Sequence, residues 1–81
     1  MKIPRDVSGA ELGRSLSRFG YHVTRQSGSH MRLTSTFRGP EHHITIPAHA
    51  SIKIGTLSQI LSDVAAYLEI SRERLLQDLF G

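Results

Sequence analysis

Three short runs of the chain alternate apolar and polar residues with a period of two, which is the pattern of half-buried β-strands. The runs begin at Tyr21, His30 and His43. A Ser-Gly-Ser turn at 27–29 separates the first two runs, and a Gly-Pro step within 37–41 precedes the third. Because such short connections join antiparallel neighbours, the sequence predicts a three-stranded meander.

Helical patterns flank these strands. A capping box that begins at Ser8 predicts a helix over 9–19, and Gly20 is placed to end it in a left-handed conformation. A second capping box is predicted at Thr56, and Ser71 is predicted to cap a short last helix. The apolar stripe of the second helix consists of Leu57, Ile60, Leu61, Val64 and Leu68.

The order helix, three strands, helix, with a short C-terminal helix, predicts an α+β domain with the helices on one face of the sheet. With 81 residues the chain has no room for a second core, so we expect residues 1–81 to form a single domain. Strict alternation assigns to the covered face Tyr21, Val23, Met31, Leu33, Ile44 and Ile46. It assigns to the open face His22, Thr24, Gln26, His30, Arg32, Thr34, His43 and Thr45.

The composition excludes several classes of protein. The chain has no cysteine, so its fold cannot depend on disulfides, and a reducing cytoplasm is the expected compartment. No apolar run approaches the roughly 20 residues needed to cross a bilayer. The N-terminus lacks the apolar stretch of a signal peptide, so we expect a cytoplasmic protein without a membrane partner.

The charge of the chain is unevenly distributed. The formal net charge is +3, and residues 1–50 carry seven of the ten Lys+Arg, three of the seven Asp+Glu and all five histidines. Eight of the ten cations are arginine, which binds phosphate with two parallel hydrogen bonds. The distribution favours a polyanionic partner, although a solubilising surface would have the same composition.

His30 is the strongest candidate for chemistry because it follows the Gly28-Ser29 turn and lies on the open face. An imidazole there could take a proton from a ribose 2′-hydroxyl or give one to a leaving 5′-oxygen. Arg32 and Arg25 could neutralise charge on a phosphate. The alternative is that His30 is simply a solvated residue at the end of a hairpin.

Two other features of the sequence bear on whether it contains a further site. The histidines do not have the spacing of a metal site, so no metal is predicted. Lys53 and Thr56 stand at a helix start, where free amides could bind a phosphate, although an ordinary helix cap explains the same residues. Glu41 is interpreted as a loop charge.

The chain resembles the HicA family of bacterial and archaeal toxins. The segments that carry the resemblance keep the order and approximate spacing of the family's motifs and cover nearly the whole chain. They are Ser8-Gly9-Ala10-Glu11-Leu12, Phe19-Gly20-Tyr21, Gly28-Ser29-His30, Ile46-Pro47 followed by His49, and Gly55-Thr56-Leu57 with Ile60-Leu61. The resemblance implies a double-stranded-RNA-binding-like fold, an mRNA interferase activity and neutralisation by a HicB antitoxin.

The resemblance also implies roles for individual residues. His30 matches the family's catalytic histidine, with Gly28 and Ser29 shaping the turn that presents it. His49 matches a proline-x-histidine segment and is either an RNA contact or a structural hydrogen-bonder.

Three functional hypotheses follow from the sequence. The first is an endoribonuclease that needs no metal or other cofactor and acts on mRNA. The second is a non-catalytic module that binds double-stranded RNA through shape and phosphates. The third is an interaction protein whose basic face is buried by an acidic or pseudo-substrate antitoxin.

Overall fold

The computed structural model describes residues 2–81, and this part of the chain folds as α-β-β-β-α with an additional C-terminal helix. The predicted α+β architecture is therefore confirmed. The helices are α1 Gly9–Leu16, α2 Ile54–Leu68 and α3 Arg72–Phe80, and the strands are β1 His22–Ser27, β2 His30–Ser35 and β3 His42–Pro47. Within residues 2–81 no helix is both long enough and apolar enough to cross a bilayer.

Helix α1 begins at the predicted capping box. The Ser8 hydroxyl accepts a hydrogen bond from the Glu11 amide at 3.0 Å, and the Glu11 carboxylate accepts one from the Ser8 amide at 3.4 Å. A 3₁₀ turn over Ser17–Phe19 continues the helix, and Gly20 follows with φ of 80°. The helix predicted over 9–19 is therefore present, with its last turn tightened.

Helix α2 starts three residues earlier than the sequence suggests, at Ile54 instead of Leu57, and the predicted capping box at Thr56 is wrong. Lys53 is the N-cap residue and makes no side-chain capping bond, while Thr56 lies inside the first turn. The Gln59 amide bonds the Asp63 carboxylate at 3.1 Å instead of a cap. The buried Ile52 accounts for the early start, because its amide bonds the Val7 carbonyl at 2.8 Å and fixes the chain there.

The strands form an antiparallel sheet in the order β1-β2-β3, with one irregularity in β1. The register shifts at Thr24, which has no partner in β2. The extra residue reverses the alternation beyond it, so Gln26 pairs with Met31 on the covered side and Arg25 pairs with Arg32 on the open side. The open-face prediction for Gln26 is therefore wrong.

The covered face and the three helices enclose one core. Its fully buried side chains are Leu12, Leu16, Tyr21, Leu33, Ile46, Leu57, Leu61, Val64 and Leu75. Val23 was expected there but is 50% exposed, because β1 is an edge strand. Thr34, expected on the open face, is only 4% exposed because Thr24 and His43 bond its hydroxyl.

Candidate functional site

The turn between β1 and β2 presents His30 at one end of the sheet. Gly28 has φ of 59°, a conformation that glycine adopts without steric cost, and Ser27 pairs directly with His30 across the hairpin. The pairing sets the His30 side chain on the open face. That side chain is exposed and makes no hydrogen bond or ion pair with residues 2–81. Its imidazole is thus accessible to a ligand.

The loop after β3 is held against this turn by backbone hydrogen bonds. The Ala48 amide bonds the Ser29 carbonyl at 2.6 Å, and the Gly9 amide bonds the His49 carbonyl at 3.0 Å. The loop is therefore tied both to the hairpin and to the N-terminus of α1. The hydrogen bond at His49 is made by its main-chain carbonyl, whereas its side chain is exposed.

A pair of arginines lies next to His30 on the open face. Arg25 and Arg32 face each other across the hairpin, and residues two apart on one strand, such as His30 and Arg32, are roughly 7 Å apart. Both arginines are exposed, and neither forms an ion pair with a carboxylate of residues 2–81. Like charges opposite each other repel, so an anion bound between them would relieve that repulsion.

The next cross-strand pair on the open face contains a histidine whose ring contacts the side chain of its partner. Thr34 pairs with His43, and the Thr34 hydroxyl lies 2.8 Å from the His43 Nδ1. The His43 Nε2 lies 3.6 Å from the Glu41 carboxylate. Glu41, read as a simple loop charge, therefore belongs to this face. The sequence could have indicated this position, since Glu41 and His43 are two residues apart, and residues two apart at a strand end point the same way.

His42 belongs to a different environment on the other side of β3. Its Nδ1 lies 2.7 Å from the Tyr21 hydroxyl, and its ring stacks on Tyr67 with centroids 4.6 Å apart. Burial lowers the pKa of His42 below its usual value, and burial likewise raises the pKa of Tyr21. His42 is therefore a packing residue, and no local sequence pattern indicates its stack on Tyr67.

Lys53 and Thr56 belong to a different element from His30, Arg25 and Arg32. Both are exposed at the start of α2, where Lys53 is the N-cap residue. Among residues 2–81, no hydrogen bond links either of them to the β1–β2 turn. The structure thus brings together His30, Arg25 and Arg32, with His49 on the adjoining loop.

The described part of the chain, residues 2–81, contains no group of three or more His, Cys, Asp or Glu side chains arranged to hold a metal ion.

Comparison with known proteins identifies the class of protein to which this chain belongs. A family model of the HicA toxin of bacterial toxin-antitoxin systems matches residues 9–65, which is most of the chain. The chain therefore belongs to the HicA toxin family. No curated protein and no solved structure matches it.

Membership in this family supports a toxin role and implies a cognate antitoxin as partner. The matched segment runs from the start of α1 into α2 and includes His30, Arg25 and Arg32. Helix α3 lies outside it.

Proposed function

We propose that this HicA toxin is an endoribonuclease that cleaves mRNA without a metal ion or other cofactor, with His30 as its catalytic residue. The observation that carries the proposal is the position of His30. Its imidazole has no partner among residues 2–81, and it stands on the same face as the Arg25 and Arg32 pair. An acid–base group beside two cations suits chemistry at a phosphate.

The proposed reaction uses the 2′-hydroxyl of the RNA as the nucleophile. Its oxygen bonds the adjacent phosphorus, the bond from phosphorus to the 5′-oxygen breaks, and a 2′,3′-cyclic phosphate and a 5′-hydroxyl result. His30 acts either by accepting the 2′-hydroxyl proton or by donating a proton to the leaving oxygen. Arg32 and Arg25 stabilise the charge that builds up on the phosphate.

The remaining residues extend the contact with RNA. Gly28 and Ser29 shape the turn that presents the imidazole, and His49 lies on the loop bonded to Ser29 through Ala48. Lys53 and Thr56 are proposed to contact the RNA further along, at the start of α2, where free amides and the helix dipole favour an anion.

We further propose that the antitoxin is a HicB-like protein and that both act in the cytoplasm. The exposed arginines offer a surface that an acidic or substrate-like segment of the antitoxin would cover. An antitoxin segment bound there would block both His30 and the phosphate site at Arg25 and Arg32. Residues 1–81 are proposed to work as one domain.

The test compares the parent protein with His30→Ala on a labelled mRNA in EDTA, with both folds checked by circular dichroism. We expect the substitution to slow cleavage by roughly 10²- to 10⁴-fold, the usual contribution of a general acid or base. Arg32→Ala should also slow cleavage. Its matched control is Arg74→Ala, which removes an exposed cation on α3 and should leave the rate unchanged.

Two results would overturn the proposal. If folded His30→Ala cleaves as fast as the parent, His30 is not catalytic. If neither protein cleaves but both bind RNA in a salt-sensitive manner, the chain is a binding module, the second hypothesis drawn from the sequence.

A further inference from the structure

A pocket of about 360 Å³ opens on the uncovered face of the sheet, beside the arginine pair. Its lining includes Arg25, Arg32, Thr34, Glu41 and His43. Its volume falls at the small end of the range for ligand sites, roughly 300–1,000 Å³. Thr34, Glu41 and His43 have no role in the proposed cleavage reaction.

A chain of hydrogen bonds links the polar side chains of this pocket. The Thr24 hydroxyl donates to the Arg32 carbonyl at 3.3 Å, and the Thr24 and Thr34 hydroxyl oxygens are 2.9 Å apart. The Thr34 hydroxyl in turn lies 2.8 Å from the His43 Nδ1. These contacts hold the His43 ring in place at the side of the pocket.

The Nε2 atom of His43 lies 3.6 Å from a carboxylate oxygen of Glu41. Both side chains are substantially exposed, 38% for His43 and 66% for Glu41, so the two oxygens of the Glu41 carboxylate can accept hydrogen bonds from a ligand. A carboxylate on an otherwise cationic face weakens the general attraction for RNA. The presence of Glu41 is explained if its carboxylate accepts hydrogen bonds from a ligand group that has N–H donors.

Guanine is the base that complements the two acceptor oxygens of a carboxylate. Its Watson–Crick edge carries the N1–H and the N2 amino group next to each other. Adenine and cytosine offer a donor beside an acceptor, and uracil offers a single donor flanked by carbonyls. A carboxylate that accepts from both guanine donors forms a bidentate pair, the arrangement that discriminates best between bases.

We propose that this pocket is a guanine-binding subsite, in which Glu41 reads the base beside His43 and the Arg25 and Arg32 pair holds its phosphate. Its role in cleavage, which is to select the nucleotide beside the cut bond, rests on the proposed ribonuclease function. Binding of the nucleotide itself does not depend on that function, so the two can fail separately.

The first experiment follows backbone amide signals by NMR while guanosine monophosphate, uridine monophosphate or inorganic phosphate is added to the parent protein. We expect the guanine nucleotide to bind about tenfold more tightly than the uridine nucleotide. The largest shifts should fall on residues 32–34 and 41–43. Glu41→Gln should remove the preference while leaving phosphate binding intact, and Glu73→Gln, a matched change on α3, should preserve it.

The outcomes separate the two proposals. Equal affinity for both nucleotides and for inorganic phosphate would overturn the guanine subsite even if the protein cleaves RNA. A guanine preference in a protein that does not cleave would support the subsite and overturn the ribonuclease.

A second experiment applies if the protein cleaves RNA. Mapping of cut sites should show guanine enriched beside the cleaved bond with the parent, and Glu41→Gln should lose this enrichment while total cleavage persists. Unchanged enrichment in Glu41→Gln would overturn the subsite.

Discussion

Gly9 occupies a point where α1 and the loop after β3 touch. A Cβ atom on Gly9 would lie 2.2 Å from the Pro47 carbonyl oxygen and 3.1 Å from the Ala48 Cα, both of which belong to the backbone. The Gly9 amide also bonds the His49 carbonyl. Glycine at this position therefore lets the helix approach the loop that adjoins the candidate catalytic turn.

Gly9→Ala is expected to reduce the free energy of unfolding by about 1–3 kcal/mol, because a rigid backbone must move to admit the methyl group. Gly55→Ala is the matched control, since a Cβ there has no neighbour within 4 Å and lies in the first turn of α2. That change should stabilise the protein by up to about 1 kcal/mol. Urea denaturation measures both, and equal effects would contradict the close contact.

His42 should limit the stability of the protein in acid. Its pKa is lowered in the folded state, chiefly by burial, whereas in the unfolded chain it lies near 6.5. Below that pH, His42 binds a proton more readily in the unfolded state than in the folded state. The stabilising contribution is therefore present above about pH 6.5 and is lost as pH falls through the folded pKa.

NMR titration of the His42 ring should give a midpoint below about 6.5. His42→Phe keeps an aromatic ring against Tyr67 but cannot titrate, so its stability disadvantage relative to the parent should shrink as pH falls. A disadvantage that stays constant from pH 7 to pH 5 would show that His42 titrates alike in both states.

The helices and strands differ in how well local sequence predicts them. The capping box at Ser8 and the cap at Ser71 are correct because side chain and helix start are neighbours in sequence. The cap at Thr56 is wrong because the start of α2 is set by Ile52, whose amide bonds a carbonyl far away in the sequence. Long-range contacts of this kind leave no local signal.

The two capping predictions can be compared directly. Ser8→Ala should cost about 1 kcal/mol, since it removes the acceptor for the Glu11 amide. Thr56→Ala should change the free energy of unfolding by less than about 0.5 kcal/mol, because Thr56 makes no capping bond. Thermal unfolding of the two variants measures the difference, and a larger cost for Thr56→Ala would restore the sequence-based assignment.

Only part of the candidate site can be predicted from the sequence. The turn and the open-face position of His30 follow from Gly28 and from alternation. The pairing of Arg25 with Arg32 does not, because simple alternation places Arg25 on the covered face and only the irregularity at Thr24 reverses it. The sequence contains no marker for that extra residue.

Taken as a whole, the molecule has a core that extends beyond the segment matched by the family. Leu75 and Leu76 of α3 are buried in the same cluster as the side chains of α1, α2 and the sheet. The Arg18 guanidinium also donates to the Asp78 carbonyl, which ties the 3₁₀ turn that follows α1 to α3. Helix α3 is therefore part of the core.

Leu75→Ala should destabilise the protein by about 2–5 kcal/mol, because it leaves a cavity in a fully buried site. If residues 1–81 fold as one domain, far-ultraviolet and near-ultraviolet circular dichroism should still report a single coincident transition. Two separate transitions would mean that α3 unfolds independently of the sheet.

The irregularity at Thr24 has a consequence for how the protein behaves in a concentrated solution. Strand β1 is at the edge of the sheet, and all six of its residues are exposed, including the apolar Val23. A long, flat edge of this kind can recruit strands from other chains, and nature commonly blunts it with bulges and charged side chains. The register shift interrupts the ladder just after Val23, and Arg25 follows it. The feature that turns Arg25 toward the open face thus also makes β1 a poorer template for strands of other copies than a regular edge strand would be.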